Sequence, residues 1–252
     1  MQFEIPSLAT AFMLTVARVG TLAMLMPGSG EQLVTPRARL AFALLLSLVL
    51  FPLTRTHLPA GGAAAPVIGV LIGEIAVGLL IGLVVRMILG ALQTAGAIVA
   101  QQLGLSFATT VDPAMGGQQA AIGNLMTLLG ITLIFAADLH HLAIAGIRDS
   151  YLLLPPSGGV PPAGDAAALA IRATAQGFRL AAQIAAPFIA FAILFNLGLG
   201  VLSRLMPQLQ VFFLAMPATI LVGMLLLLAA LGVMMGVFLE DLGAFLKTFV
   251  RG

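Results

Sequence analysis

The chain has 252 residues, of which 61% are hydrophobic and 8% charged, with a formal net charge of +2 and a sequence pI near 9.9. A soluble globular surface needs charge on about a quarter of the residues, so this composition excludes one. The absence of cysteine rules out a disulfide framework, a thiolate zinc site, an iron–sulfur cluster and a cysteine nucleophile, and eleven thinly spread basic residues form no clustered face for nucleic acid.

Residues 87–111, 113–137, 180–203 and 205–239 contain no Asp, Glu, Lys or Arg, and each stretch exceeds the ~20 residues of a membrane span. At the N-terminus Glu4 stands where a signal peptide has basic residues, and the first cation, Arg18, lies inside the apolar run. That run is therefore expected to be retained. It extends from Ser7 to Met26 and ends in Pro27-Gly28-Ser29-Gly30, a turn signal. Thr35-Pro36-Arg37 opens a second run, Leu40 to Leu53, and so short a connection predicts an antiparallel helix pair. After a Pro- and Gly-rich loop, a third helix begins near Val67 and carries Gly69-x-x-x-Gly73 and Gly78-x-x-x-Gly82. Such small-residue pairs let helix backbones approach closely where lipid gives no hydrophobic drive to association.

This segment turns polar without charge through Gln93, Thr94, Gln101, Gln102, Ser106, Thr109 and Thr110, before Asp112-Pro113-Ala114-Met115-Gly116-Gly117-Gln118-Gln119 forms a loop. A fourth run, Ala121 to Ala137, leads into Asp138-Leu139-His140-His141 and leaves the apolar regime at Arg148, Asp149 and Tyr151. The linker Pro155 to Gly164 divides the chain near residue 160, since paired prolines forbid helix. Beyond it Arg172, Gln176, Arg179 and Gln183 form one polar helical stripe. The runs Leu180 to Leu202 and Val211 to Leu239 complete six apolar segments. In a six-span topology Arg55, Arg148, Arg172, Arg179, Lys247 and Arg251 fall on one side and Arg37, Arg39 and Arg204 on the other, which places both termini in the cytoplasm.

Motifs for zinc proteases, serine nucleophile elbows, intramembrane aspartyl proteases and phosphate-binding loops are all absent, so no enzymatic activity is expected. Asp138 and His141 lie i, i+3 and with His140 offer a metal or proton-relay group. Adjacent histidines diverge by about 100° on a helix, which favours a helix-capping or partner-binding role instead. Glu74 and Arg86 are intramembrane charges about 120° apart on one helix, so each needs a partner elsewhere. Both an interhelical ion pair and a transport pathway suit them. The uncharged polar stretch Gln93 to Gln119 would be wet without holding cargo tightly; the alternative is an interhelical turn with glutamines bonded to neighbouring helices. A small-solute secondary transporter using Glu74, Arg86 and Asp138 is the rival function, and a membrane enzyme would rest on Asp138, His140 and His141.

Taken together, Gln101-Gln102-Leu103-Gly104-Leu105-Ser106-Phe107-Ala108, Val111-Asp112-Pro113, Asp138-Leu139-His140-His141, Ser150, and Asn196-x-x-x-Gly200-Val201-Leu202-Ser203-Arg204-x-x-Pro207-Gln208-Leu209-Gln210-Val211-Phe212 with Pro217 resemble the FliR family of flagellar biosynthetic proteins. Leu139 stands where that family usually has Gly. The resemblance covers nearly the whole chain, including Arg18, Pro27, Pro36, Arg39 and Phe51-Pro52-Leu53. It implies an all-α, polytopic membrane-type protein of helical hairpins, part of the type III protein export gate at the flagellar basal body in the bacterial inner membrane, with relatives in injectisomes. It further implies one copy of the chain joined to FliP-like and FliQ-like subunits in a helical assembly standing largely above the bilayer plane. FlhB-like and FlhA-like neighbours are implied too, with unfolded proteins as cargo and no cofactor.

On the same basis residues 1–154 form a FliP-like half with a pore plug at about 105–120, residues 155–165 a Pro/Gly linker, and residues 166–252 a FliQ-like half. The plug would comprise Phe107 to Gln119. Phe107, Val111 and Met115 are its blocking side chains, Pro113, Gly116 and Gly117 shape its turn, and Asp112 is its one charge. Arg18, Glu74, Arg86, Asp138, His141 and Arg204 are the expected polar contacts between subunits. The proline-containing hairpins around Pro187, Pro207 and Pro217 are expected to be broken and to rely on partner helices.

Overall fold

The computed structural model describes residues 5–26, 28, 34–58, 64–105, 117–156, 162–206 and 211–250, which form helices and turns with no strand among them. The helices are α1 (Ile5–Leu25), α2 (Pro36–Thr54, followed by a 3₁₀ turn Arg55–His57), α3 (Ala64–Gln102), α4 (Gly117–Ala136), α5 (Leu139–Leu153), α6 (Ala163–Leu205) and α7 (Val211–Lys247). Five of them are long and apolar enough to cross a membrane, and six spans result if α4 and α5, bent by 78° at their junction, count as one. The polytopic all-α membrane architecture expected from the sequence is thus the one observed.

Local chemistry explains where the helices begin and end. Thr35 is extended and Pro36 occupies the first position of α2, where its missing N–H costs nothing and its fixed φ suits a helix start. At the end of α3, Gly104 has φ 75°, the Gly104 N–H donates to Gln101 O (3.1 Å) and the Leu105 N–H to Ala100 O (3.1 Å). This is a Schellman cap, in which a left-handed glycine lets the last carbonyls find donors. Between α4 and α5 Asp138 takes φ 57°, a conformation open to Asp at modest cost; there the chain leaves one helix axis and starts another.

Proline behaves differently from expectation. Pro187 lies inside α6 and Pro217 inside α7, and both helices continue through them. The hairpins are therefore not broken at these two positions. A proline removes one backbone hydrogen bond, but abandoning the helix in an apolar medium would strand many more groups. Pro207 lies outside the described residues. Likewise the polar stripe Arg172 to Gln183 and the run Leu180 to Leu202 belong to one helix of 43 residues, about 64 Å long and twice the ~30 Å hydrocarbon thickness of a bilayer.

By packing, the chain divides into one unit of residues 1–88, 134–176 and 242–252 and another of 89–133 and 177–241. This division is of a different kind from the sequence halves at the proline linker, of which residues 157–161 lie outside the described set. In the first unit α1 presents Ala11, Leu14, Thr15, Arg18, Val19, Leu22, Ala23 and Met26 to the interior, a strict alternation of three- and one-residue steps that marks one helical face. The end of α2 returns along α1, with Phe12 edge-on to Phe51 at 5.6 Å and Thr15 bonded to Thr54 at 3.3 Å, as the short connection required. Val19, Leu22, Met26, Leu50, Val77, Ile81 and Ile147 form one core cluster there.

In the second unit the later part of α3 lies directly on α4. A Cβ on Gly96 would come within 2.6 Å of the Gly123 backbone nitrogen, and one on Gly123 would meet the Gln93 amide at 2.9 Å. Thr127 donates to Gln93 Oε1 at 3.2 Å across this contact, the interhelical glutamine bond considered from sequence. Gly96→Val should lower stability in detergent by about 1–3 kcal/mol, because two backbones must part. Gly90→Ala, with nothing within 4 Å of the added Cβ, should be neutral or stabilising by up to about 1 kcal/mol. Paired thermal unfolding curves measure both.

Candidate functional site

Three places on the chain gather candidate functional side chains. The first is Arg18, carried to the inner face of α1 by the alternation above. Its Nε donates to Glu74 Oε2 at 2.7 Å and its Nη2 to Glu74 Oε1 at 2.8 Å, a forked charge-assisted pair. Nη1 also donates to the Ser150 carbonyl at 3.0 Å and Nη2 to the Leu154 carbonyl at 2.8 Å. The guanidinium carbon lies 4.2 Å from the Tyr151 ring centroid, close enough for a cation–π contact. Ser150 and Leu154 belong to the last turn and cap of α5, where the carbonyls carry the negative end of the helix dipole; the Ser150 carbonyl accepts from the Leu154 N–H as well as from Arg18. One guanidinium thus joins α1, α3 and the end of α5.

Glycine makes this approach possible. A Cβ on Gly78 would lie 2.7 Å from the Arg18 carbonyl oxygen, and one on Gly82 would lie 2.8 Å from Leu25 Cβ, so Gly78-x-x-x-Gly82 is the close-packing face that its spacing suggested. Arg18 and Glu74 are each 1% exposed. The interhelical ion pair, one of the two sequence alternatives for Glu74, is what the fold contains, and Arg18 and Glu74 make it with each other within the chain. A carboxylate so enclosed is closed to a solute, which counts against Glu74 as a transport group. The sequence did show the need for a partner, since a lone charge in each of two apolar helices is costly unless paired. It did not show that Tyr151 and the α5 carbonyls would join.

The second place is the α4–α5 bend. His141 Nδ1 lies 3.5 Å from Asp138 Oδ1, the His140 and His141 ring centroids are 4.1 Å apart, and Phe135 covers His140 at 5.2 Å. Asp138, His140 and His141 each offer a ligand atom, and these all fall within 4.8 Å of one another. The divergence of neighbouring histidines expected on a helix is therefore overcome. His140 also borders a cavity of about 400 Å³ whose walls include Phe42, Val85, Phe135 and Leu246, with Arg39 the one charged side chain.

The third place is the α3–α4 connection. Phe107, Val111, Asp112, Pro113, Met115 and Gly116 lie outside the described residues, and Gly117 is the first residue of α4. Leading to it, Gly90, Gln93, Ala97 and Gln101 are all exposed at helical steps of three or four, a face of small and uncharged polar side chains. Asn124 on α4 is exposed as well. Gly90 and Ala97 were missed in the sequence because neither is polar; only the register with Gln93 and Gln101 marks them. Arg86 and Arg204 are exposed and make no ion pair among the described residues. Arg179, in contrast, pairs with Asp241 at 3.0 Å.

The family model of bacterial export proteins, family 1, matches residues 9–245 of the chain. The flagellar biosynthetic protein FliR of Caulobacter vibrioides is 44% identical over 229 residues, covering 88% of this chain and 91% of that protein. The FliR protein of Escherichia coli is 31% identical over 226 residues, covering 89% and 85%. The Yop proteins translocation protein T of Yersinia pestis is 33% identical over 155 residues, covering 61% and 59%.

Removing one partner of the buried pair strands the other. Arg18→Ala and Glu74→Ala should each cost about 3–5 kcal/mol, whereas Arg18→Met combined with Glu74→Leu should cost clearly less than either alone. A double-mutant cycle on unfolding midpoints in detergent measures the coupling.

Proposed function

The chain belongs to family 1 of the bacterial export proteins, the FliR family, and on that premise we propose that it is a core structural and gating subunit of a flagellar type III export channel. It works without catalysis: the family is a component of the export apparatus, and the chain carries none of the hydrolytic or nucleotide-binding motifs sought above. Its site is the bacterial inner membrane, within the flagellar basal body. FliP-like and FliQ-like subunits are its direct partners, with FlhB-like and FlhA-like proteins adjoining, and unfolded flagellar proteins pass through the pore they enclose.

The observation that carries this proposal is the α3–α4 hairpin. An uncharged face of Gly90, Gln93, Ala97 and Gln101, all exposed, runs toward the loop of residues 106–116. Such a surface stays wetted and grips neither charged nor apolar segments of a moving chain. The loop then supplies what the face lacks, with Phe107, Val111 and Met115 as apolar blockers and Pro113 and Gly116 to turn the backbone; Gly117, which the resemblance placed in that turn, opens α4 instead. Exposed apolar side chains offer the surface on which unlike helices pack; Leu45, Leu48 and Val49 of α2 and Leu194, Leu197 and Val201 of α6 are all more than half exposed. Exposed Arg86 and Arg204 are left for acidic partners across subunits, and exposed Asp138 and His141 for other polar contacts there. Identity of 44% along 91% of the Caulobacter vibrioides flagellar protein supports the flagellar reading.

Deleting Ala114 to Gln118 in the assembled complex should raise ion leakage across the membrane while subunit stoichiometry is kept; conductance of reconstituted complexes measures it, and unchanged leakage would refute the plug. Arg204→Glu should reduce recovery of the intact complex from membranes, and assembly at the unaltered level would remove Arg204 from the interface.

A further inference from the structure

We propose that Asp138, His140 and His141 form a binding site for one divalent transition-metal ion of the zinc class at the bend between α4 and α5. Two imidazoles and a carboxylate are a mixed nitrogen and oxygen donor set. It suits Zn²⁺, Co²⁺ or Ni²⁺ and is a poor match for Mg²⁺ or Ca²⁺, which take oxygen ligands.

Geometry carries the proposal. In a helix interior two adjacent histidines diverge by about 100° and cannot share an ion. Here the two histidines lie in the first turn of α5, directly after Asp138 at φ 57°, and their rings nonetheless lie 4.1 Å apart. One ligand atom from each of the three residues falls within 4.8 Å of the other two, and the Asp138–His141 separation is 3.5 Å. A tetrahedral ion with bonds of about 2.0–2.1 Å holds its ligand atoms roughly 3.4 Å apart, so small side-chain rotations complete the set.

A second observation points the same way. His140 Nδ1 is sealed from solvent and has no hydrogen-bond partner among the described residues. A buried polar atom left unmatched is unfavourable, and coordination through this nitrogen would remove the penalty. Access is open from the other side, since the Asp138 and His141 side chains are 78% and 70% exposed. Three protein ligands leave a coordination position for water or for a side chain of a neighbouring subunit.

The chain has only one other histidine, His57, which makes the test clean. The full chain, purified in detergent with a tag free of histidine, is titrated with Zn²⁺ by calorimetry and with Co²⁺ by visible absorption at neutral pH. One ion per chain is expected, with Mg²⁺ failing to compete. Asp138→Asn, which keeps the left-handed backbone accessible, His140→Ala and His141→Ala should each weaken binding at least tenfold, while His57→Ala leaves it unchanged. Circular dichroism confirms that each variant retains its helix content. Absence of saturable binding, or binding that the three variants leave intact, overturns the site.

Discussion

The guanidinium of Arg18 is the constraint on which the first packing unit depends. A cation in the middle of an apolar helix has no stable place in lipid or in a dry core unless every donor is answered. Here the answers come from three directions: the Glu74 carboxylate, the Ser150 and Leu154 carbonyls, and the Tyr151 ring. Because these lie on α3 and α5, satisfying one side chain fixes two further helices against α1. The glycines at 78 and 82 are the steric counterpart of that electrostatic demand, since any larger side chain there would hold α1 and α3 too far apart for a fork geometry.

A second principle governs the rest of the chain: backbone groups in an apolar medium stay within helices even where the sequence invites a break. Hence α6 and α7 pass through Pro187 and Pro217, and the one sharp bend among the described residues occurs where Asp138 can adopt a left-handed conformation and its amide still donates to Phe135 O. The resulting helices are longer than a bilayer requires, and many of their large apolar side chains are exposed. Such surfaces need lipid or partner helices over their whole length, which accords with a membrane-embedded member of a multi-component export family rather than with a self-contained transporter.

Much of this was legible in the sequence. Charge-free stretches located the apolar helices, Thr35-Pro36 marked the start of α2, and Gly78-x-x-x-Gly82 marked a close helix contact. These are local signals, fixed by composition and by the steric rules of Gly and Pro. What depends on distant residues was not legible. Arg18 and Glu74 each declared that a partner was needed, yet nothing in their spacing named the other, 56 residues away. Helical periodicity argued that His140 and His141 diverge; both do lie in the first turn of α5, yet their rings come to 4.1 Å, because backbone periodicity fixes Cβ directions and not where long side chains end. The continuity of α6 across a proline was likewise set by the medium and the neighbouring helix turns rather than by residue 187 itself. For the loop of residues 106–116 the flanks alone are given, by the glycine cap at 104 and the start of α4.

The central proposal is that this chain functions only among unlike subunits, with its exposed apolar helices and the exposed Arg86 and Arg204, which make no ion pair among the described residues, as interfaces. Native mass spectrometry of the tagged chain, extracted in mild detergent from its own membranes, tests this most directly. One copy travelling with several copies of two smaller apolar proteins is the predicted result. A monomer or homodimer, obtained under extraction that preserves other membrane complexes, would contradict the account.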